Sequence, residues 1–596
     1  MTLFIAARRS PSRVRLALRV LLLLVFALVL AGCVSSREDR FWTHAPGWSR
    51  AQNIGITGSM RSVSIDVDDN GTLYAVYFEL DPETVMTVLA IGSDGTEHWR
   101  YSFDTVDILE GRNPAVLRLN DGVHVFWIVQ GNLVEMHLSE EGELLGIPTV
   151  ISHGESVINY DLARSVDGAY SIWFSSSRNN PGIYRLDPGE EGYMSTLVDS
   201  DGVYPDIAYD TNGALHAVWA CNANQLDSMT YEYRLFDQGV SEREEASRTI
   251  EPLLRSSDDV EGPTLGLNGM LVHIGWITNI RTGMRSGQVE PMIASFVPGF
   301  EETYSAPEQM WISTEFDLPY EDWEGDLQAG SRVAWSFNRY GTDQIKNFAG
   351  LATDDGETAF AFRARVNTRS GQNQSQIVIA YLRDGVFDSY QLLTFTYSSS
   401  VTPSIAIGPD GHLYAVWLEL TDANEFSIFL SSTVPAMGET YDSLTKEDVR
   451  QMVSDTIFGL ISGILLTPLV FLWLIPGMLI LVLTTWLRKG EGARKHVMEA
   501  VSVGLGMAGY WFVKAEMFPS ILTSIPFKLW IPIISPGLGV GLRVLVPVAV
   551  TLLAVGIGLR NVLKRGTFSP VAFMLVYGLI DGICTVAIYG ADLIRI

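Results

Sequence analysis

The residues of this chain whose types and spacing could do chemistry are carboxylates that recur at regular intervals. They are Glu110 beside Arg112, Glu155, Asp199 with Asp201, and Asp258 and Asp259 with Glu261. Gathered on one face, such groups could bind a cation, a polyhydroxylated ligand or a basic protein segment. Kept apart, they are solvated loops, and both readings stand at this level. Asp66-x-Asp68-x-Asn70-Gly71 copies the first half of a calcium loop. The bidentate glutamate needed six residues past the glycine is replaced by Tyr77, so a plain turn is expected. Three cysteines, Cys33, Cys221 and Cys584, allow neither a disulfide framework nor a Cys-based zinc site. No cofactor and no metal is expected, and Cys221, following Trp219-Ala220, reads as a buried free thiol.

The elements that must position these groups are seven copies of one motif. A short extended run leads into an Asn-Gly or Asp-Gly turn, and an apolar strand ending in an aromatic residue follows. The clearest copies are PDIAYDTNGALHAVW from Pro205 and PSIAIGPDGHLYAVW from Pro403. Glycine supplies the positive φ of the turn, and the Asp or Asn before it tolerates the left-handed region. The turn glycines stand at 71, 122, 168, 213, 269, 356 and 411, and the one long gap holds an insertion at about 298–340. A hairpin returning at this period specifies an all-β, seven-bladed β-propeller. The aromatics Tyr77, Trp127, Trp173, Trp219, Trp276, Phe362 and Trp417 keep a fixed place in the hairpin, as packing wedges between blades do. The seventh blade lacks a fourth strand, and Phe41–Ile56, with Trp42 and Trp48, is free to supply it.

Both ends point to a membrane. Arg8, Arg9, Arg13, Arg15 and Arg19 precede the apolar run Val20–Ala31, the layout of a signal peptide over residues 1–33. Leu30-Ala31-Gly32-Cys33 resembles the lipobox of bacterial lipoproteins, which implies lipidation of Cys33 and cleavage before it; an uncleaved signal anchor is the other reading. The propeller is then expected over 34–436, a linker and amphipathic helix start over 437–456, and an α-helical transmembrane domain over 457–596. About four spans are expected, at 457–487, 498–515, 540–560 and 569–592, with kinks at Pro468 and Pro476. The apolar stretch 518–537 reads as an interfacial or re-entrant segment. Basic residues at 488–495 and 560–565 put those loops in the cytoplasm and the propeller outside.

Asp581 lies near a span centre, beside the small residues Gly578 and Gly582. It is either functional or a packing determinant, with no partner named by the sequence. The net charge of −27 divides into +5 over 1–33, −37 over 34–450 and +5 over 451–596. So acidic a body excludes nucleic-acid binding, which needs a basic face.

The repeats resemble the degenerate blades of the sialidase and Asp-box propeller superfamily over about residues 41–432. The Asp-box itself is not reproduced, and Arg118, Arg164 and Arg363 do not match an arginine triad. The resemblance implies the fold and leaves activity open. The expected function is a membrane-anchored extracytoplasmic recognition or scaffolding protein of the bacterial cell membrane. Its propeller would bind a glycan, a peptide or a partner protein. Alternatives are a sialidase-like glycoside hydrolase and an accessory subunit of an envelope transport system. No catalytic residue is nominated.

Overall fold

The structure is a computed structural model. It describes the chain from residue 45 to residue 594 apart from several loops, the longest being 311–332, 335–345 and 522–535; residues 1–44 lie outside it. The chain forms two compact units, 39–443 and 1–38 with 444–596.

The first unit is built of seven antiparallel sheets, one per motif. In each, the strand before the turn is innermost, and innermost strands of neighbouring blades touch at all seven seams, closing a ring. The apolar strand that follows the turn is the second of its sheet, as in Leu215–Cys221 and Leu413–Asp422. The seven motif aromatics are all buried between sheets. Asp68 accepts the main-chain N–H groups of Asn70 and Thr72 at 2.9 and 2.8 Å, so the calcium-like segment is a turn. Cys221 is a buried free thiol, pushed up to about 12 by burial. The fragment Val333–Ala334, inside the expected insertion, adds an edge strand to the sixth blade.

Blade seven is completed from the other end of the unit. Its last strand, Glu425–Ser432, pairs with Gln52–Thr57 in antiparallel register. Trp48 Nε1 donates to Gln391 Oε1 of blade six at 3.0 Å, and Ser49 N–H donates to the Ser432 carbonyl at 2.6 Å. Tyr77 of blade one donates its hydroxyl to the Ile54 carbonyl at 2.9 Å. One segment of about ten residues therefore ties blades six, seven and one, and the edge of Glu425–Ser432 is paired. Trp42 lies outside the described residues.

A short helix, α1 (Pro435–Tyr441), ends the first unit. The second unit contains α2 (Lys446–Leu465), α3 (Thr467–Trp486), α4 (Ala493–Met517), α5 (Pro536–Leu563) and α6 (Pro570–Ile594). The expected first span is broken at Leu466. Pro468 opens α3 instead of kinking a longer helix, because a proline in the first turn gives up no intrahelical bond. Pro476 lies within α3. Among the described residues, three helices are long and apolar enough to cross a membrane, over Thr467–Trp486, Leu538–Val562 and Pro570–Tyr589. The remaining expected span, 498–515, lies in α4, which carries Arg494, Lys495, Glu499, Lys514 and Glu516. A side chain at Gly578 or Gly582 would collide with Leu474 or Val470 of α3, so the small-residue step sets how closely α3 and α6 approach.

Candidate functional site

Each blade begins with an inner strand, and most of these strands bulge near their start. The register slips between Arg112 and Ala115, Val203 and Asp206, Glu261 and Thr264, and Val401 and Ser404. The residue before the motif proline takes positive φ each time: Asn113 (52°), Tyr204 (56°), Gly262 (113°) and Thr402 (46°). Three of these four are not glycine. Such backbone costs about 1–3 kcal/mol per residue and persists only where the surrounding fold dictates it. Bulges turn side chains out of the sheet, and here they form one rim around the end of the ring opposite the Asn-Gly turns. Tyr204, with 46% of its surface exposed, stands on this rim.

The described sequence candidates lie along the same rim, on blades two to five in succession. Arg112 Nη2 donates to the Val157 carbonyl of blade three at 3.3 Å, and Asn113 Nδ2 donates to Asn159 Oδ1 at 3.4 Å. Glu155 lies in the approach to blade three, close enough to Tyr184 to help raise its hydroxyl, after burial. Asp201 is exposed at the turn into blade four. Glu261 acts on Arg363 of blade six, opposing the fall that burial imposes on that guanidinium. Glu110 and Asp258 lie outside the described residues, and only the backbone of Asp259 is described. The structure spreads these groups into an arc and does not gather them into a single cluster.

Deeper along the axis is a set that sequence reasoning missed. Asp161 Oδ2 accepts the Ile207 N–H of the next blade at 2.6 Å, and Asp206 likewise takes the Leu265 N–H. Ser64 accepts the Val116 N–H at 3.2 Å. Asp161, Asp206, Ser64 and Ser404 fall seven residues before a turn glycine, so aligning the copies on that glycine would have exposed the column. Burial raises Asp161 to about 7, and burial with the Asp161 charge raises Asp206 well above the usual carboxylate range. At the turn end of the axis, Arg164 donates to the Arg118 carbonyl at 2.7 Å and the Val67 carbonyl at 2.9 Å, and lies 3.6 Å from Asp66. Arg118 meets Glu140 and the Gly122 carbonyl. These arginines hold blades together and form no substrate triad.

In the helical unit, Asp581 has the partner the sequence did not name. Lys514 Nζ of α4 lies 2.5 Å from Asp581 Oδ2, and the two side chains are 2% and 0% exposed. Tyr510 donates to the same oxygen at 2.8 Å, Thr551 lies 3.3 Å from the other, and Lys514 sits 4.2 Å from the Trp511 ring centre. Lys514 falls at the edge of the expected span 498–515, so a second charge within apolar sequence was the available clue.

No protein-family model and no curated protein matches the chain. Among solved structures, an ulvan lyase of polysaccharide lyase family PL25 shares 10% identity, covering 63% of this chain and 95% of its own, with a TM-score of 0.40. A subtype N10 neuraminidase-like protein of A/little yellow-shouldered bat shares 10% identity over 55% of this chain and 96% of its own, with a TM-score of 0.33. An α-L-arabinanase of Penicillium chrysogenum, complexed with arabinobiose, shares 12% identity over 67% of this chain and 98% of its own, with a TM-score of 0.31. The seven-bladed propeller, followed by a helical region with three candidate membrane spans, is the architecture of this chain.

Proposed function

We propose that this chain is a bacterial envelope protein, lipidated at Cys33, whose propeller stands on the extracytoplasmic side and recognises a glycan at the bulged rim. The observation that carries this reading is the repeated positive-φ residue before the motif proline, which sets Asn113, Tyr204 and Thr402 at equivalent places on three blades. An exposed tyrosine ring on a rim that also carries carboxylates, an amide and a guanidinium on other blades is suited to stacking on one sugar of an extended glycan whose hydroxyls reach those groups. The lipobox-like Leu30–Cys33 and the basic loops at 488–495 and 560–565 support the sidedness. The helical unit then acts as the membrane anchor.

The hydrolase reading has one feature in its favour. Asp161 and Asp206 are paired acids, one of which holds its proton near neutrality, as a glycosidase requires. Both, however, are engaged by main-chain N–H groups of the next blade, which favours a rigid scaffold. The test uses the full chain in detergent on glycan and peptide arrays, with Tyr204→Ala and Asp201→Asn beside the wild type. Glycan binding weakened by both substitutions supports the proposal. Blank glycan arrays, or binding indifferent to Tyr204, overturn it; turnover of aryl glycosides that is lost in Asp161→Asn establishes the hydrolase instead.

A further inference from the structure

The turn end of blade two holds a group that neither the rim nor the axis uses. His124 and His137 are cross-strand partners on Gly122–Val129 and Asn132–Leu138. Their rings stack with centroids 4.2 Å apart, and Asp121 stands in the turn beside them. His124 Nε2 is 3.1 Å from Asp121 Oδ1, and His137 Nε2 is 4.0 Å from Asp121 Oδ2. One ligand atom from each residue lies within 4.8 Å of the others. Tetrahedral zinc, with bonds of about 2.0–2.1 Å, sets its ligand atoms about 3.3 Å apart, so a small inward movement is sufficient. Gly122 makes the approach possible: at its φ of 152°, a Cβ would meet the His137 ring.

The far side of His124 fixes its chemistry. Its Nδ1 lies 2.7 Å from Glu135 Oε1, a carboxylate that also receives the Tyr193 hydroxyl at 3.1 Å. A hydrogen on Nδ1 toward Glu135 leaves Nε2, the nitrogen that faces Asp121, as the one able to take a metal ion. Both ring nitrogens face a carboxylate, at 2.7 and 3.1 Å, so the group between Nε2 and Asp121 is a cation, either a proton or a metal ion. A lone proton would satisfy that pair, but it would leave the convergence of a second imidazole unused. Carboxylate, histidine and metal in line is the arrangement that orients a metal-binding imidazole and strengthens it as a donor. The other blades supply internal controls. His216 and His273 occupy the same column, yet their Nδ1 atoms meet the Tyr233 and Ser295 hydroxyls at 2.8 and 2.7 Å, and their cross-strand partners are Leu235 and Ser295.

We propose that Asp121, His124 and His137 bind one divalent zinc ion, with Glu135 positioning His124. Two imidazoles and one carboxylate suit zinc better than calcium or magnesium, which prefer oxygen ligands. The side chains of Asp121, His137 and His124 are 65%, 27% and 8% exposed, so the site opens to solvent and a water completes the coordination. His137 Nε2 now meets the Asp121 carbonyl at 3.1 Å; binding replaces that contact, with the ring in the tautomer that carries its hydrogen on Nδ1. Because Tyr193 and its partner Tyr170, 2.7 Å away, belong to blade three, the ion also clamps the seam between blades two and three.

The experiment takes the full chain in detergent, without a histidine tag, strips it with a chelator and titrates zinc chloride by equilibrium dialysis. The wild type is expected to take up one zinc in this site and to melt at a higher temperature with it. His137→Ala and Asp121→Asn should lose that ion while the ring stays folded by circular dichroism. Glu135→Gln should weaken binding about 10–100-fold, the usual effect of removing such a partner. His98→Ala, at an exposed histidine of blade one, should change nothing. Should one ligand variant fail to fold, the other decides. Absence of zinc uptake by the wild type, or uptake as tight in Asp121→Asn and His137→Ala, overturns the proposal.

Discussion

Asp161 reaches across the seam between blades three and four to take the Ile207 N–H at 2.6 Å, and the burial of its carboxyl there makes the ring sensitive to pH. Burial holds the folded carboxyl at about 7, against 3.8 in the open chain. Between these values the unfolded chain has released a proton that the ring still keeps, so this group's contribution falls as pH rises, with the full penalty present above about 7. Asp161→Asn keeps an oxygen for Ile207 and removes the titration. Unfolding midpoints at about pH 5 and about pH 8 should show the variant gaining on the wild type at the higher pH. An unchanged gap would refute the assignment. The comparison must be variant against wild type, because His273, pushed down to about 4 by burial, acts in the opposite sense and loses stability as pH falls below 6.5.

Lys514 and Asp581 form a pair whose energetics separate function from packing. Removing one partner leaves a buried charge unpaired, and Asp581→Asn or Lys514→Met alone should destabilise the helical unit by about 3–5 kcal/mol. The double variant should recover most of that loss, since an apolar replacement of a buried pair is often near neutral. Thermal melting in detergent measures all four proteins. Recovery of stability without recovery of any activity later found would mark the pair as functional.

What the sequence disclosed was periodic or local. The Asn-Gly turns and the aromatic column repeat, and repetition fixed the number of blades and the buried status of Trp173, Trp219 and Trp417. The outer strand at Gln52–Thr57 followed from counting strands in the last blade. Sites made across elements were not legible. His124 and His137 meet through strand register, and Lys514 meets Asp581 through helix packing across 67 residues. Whether the acids at 155, 201 and 261 gather on one face was left open by the sequence, because each belongs to a different blade and the ring's geometry sets their spacing. The helix break at Leu466 was hidden because hydropathy runs unbroken across it.

Processing at Cys33 is open to direct test. Cys33→Ser should leave an uncleaved precursor that remains in the membrane fraction, because the apolar helices over Thr467–Trp486, Leu538–Val562 and Pro570–Tyr589 are retained. Mass spectrometry of the mature wild-type chain should find an acylated residue 33 at its start. Peptides from residues before 33 in that sample would identify the segment as an anchor.

The sidedness of the membrane domain rests on charge. A single cysteine introduced at 492, in a chain otherwise free of cysteine, should resist an impermeant thiol reagent on intact cells and react after lysis. One introduced at Asp69, in the first turn of the ring, should react from outside. Labelling of 492 in intact cells would reverse the orientation.

Trp48 tests how the ring is closed. Its ring is 4% exposed and its Nε1 donates to Gln391 at 3.0 Å, so it joins the start of the unit to blade six, while the next residues run on to pair with blade seven. Trp48→Ala removes a large buried aromatic together with that hydrogen bond and should destabilise the propeller by about 3–5 kcal/mol. Gln391→Leu should do less, because the indole packing survives even though both Trp48 and Tyr381 lose that amide oxygen. Deleting 52–57 should do more than either substitution. It strips the outer strand from Glu425–Ser432, exposes that edge, and takes from Tyr77 and Arg100 the Ile54 carbonyl they share. Because the ring is closed by one strand, the loss should spread to all blades and lower a single cooperative transition. A melting temperature unchanged by the deletion would show that the segment is a tether and that the ring closes without it.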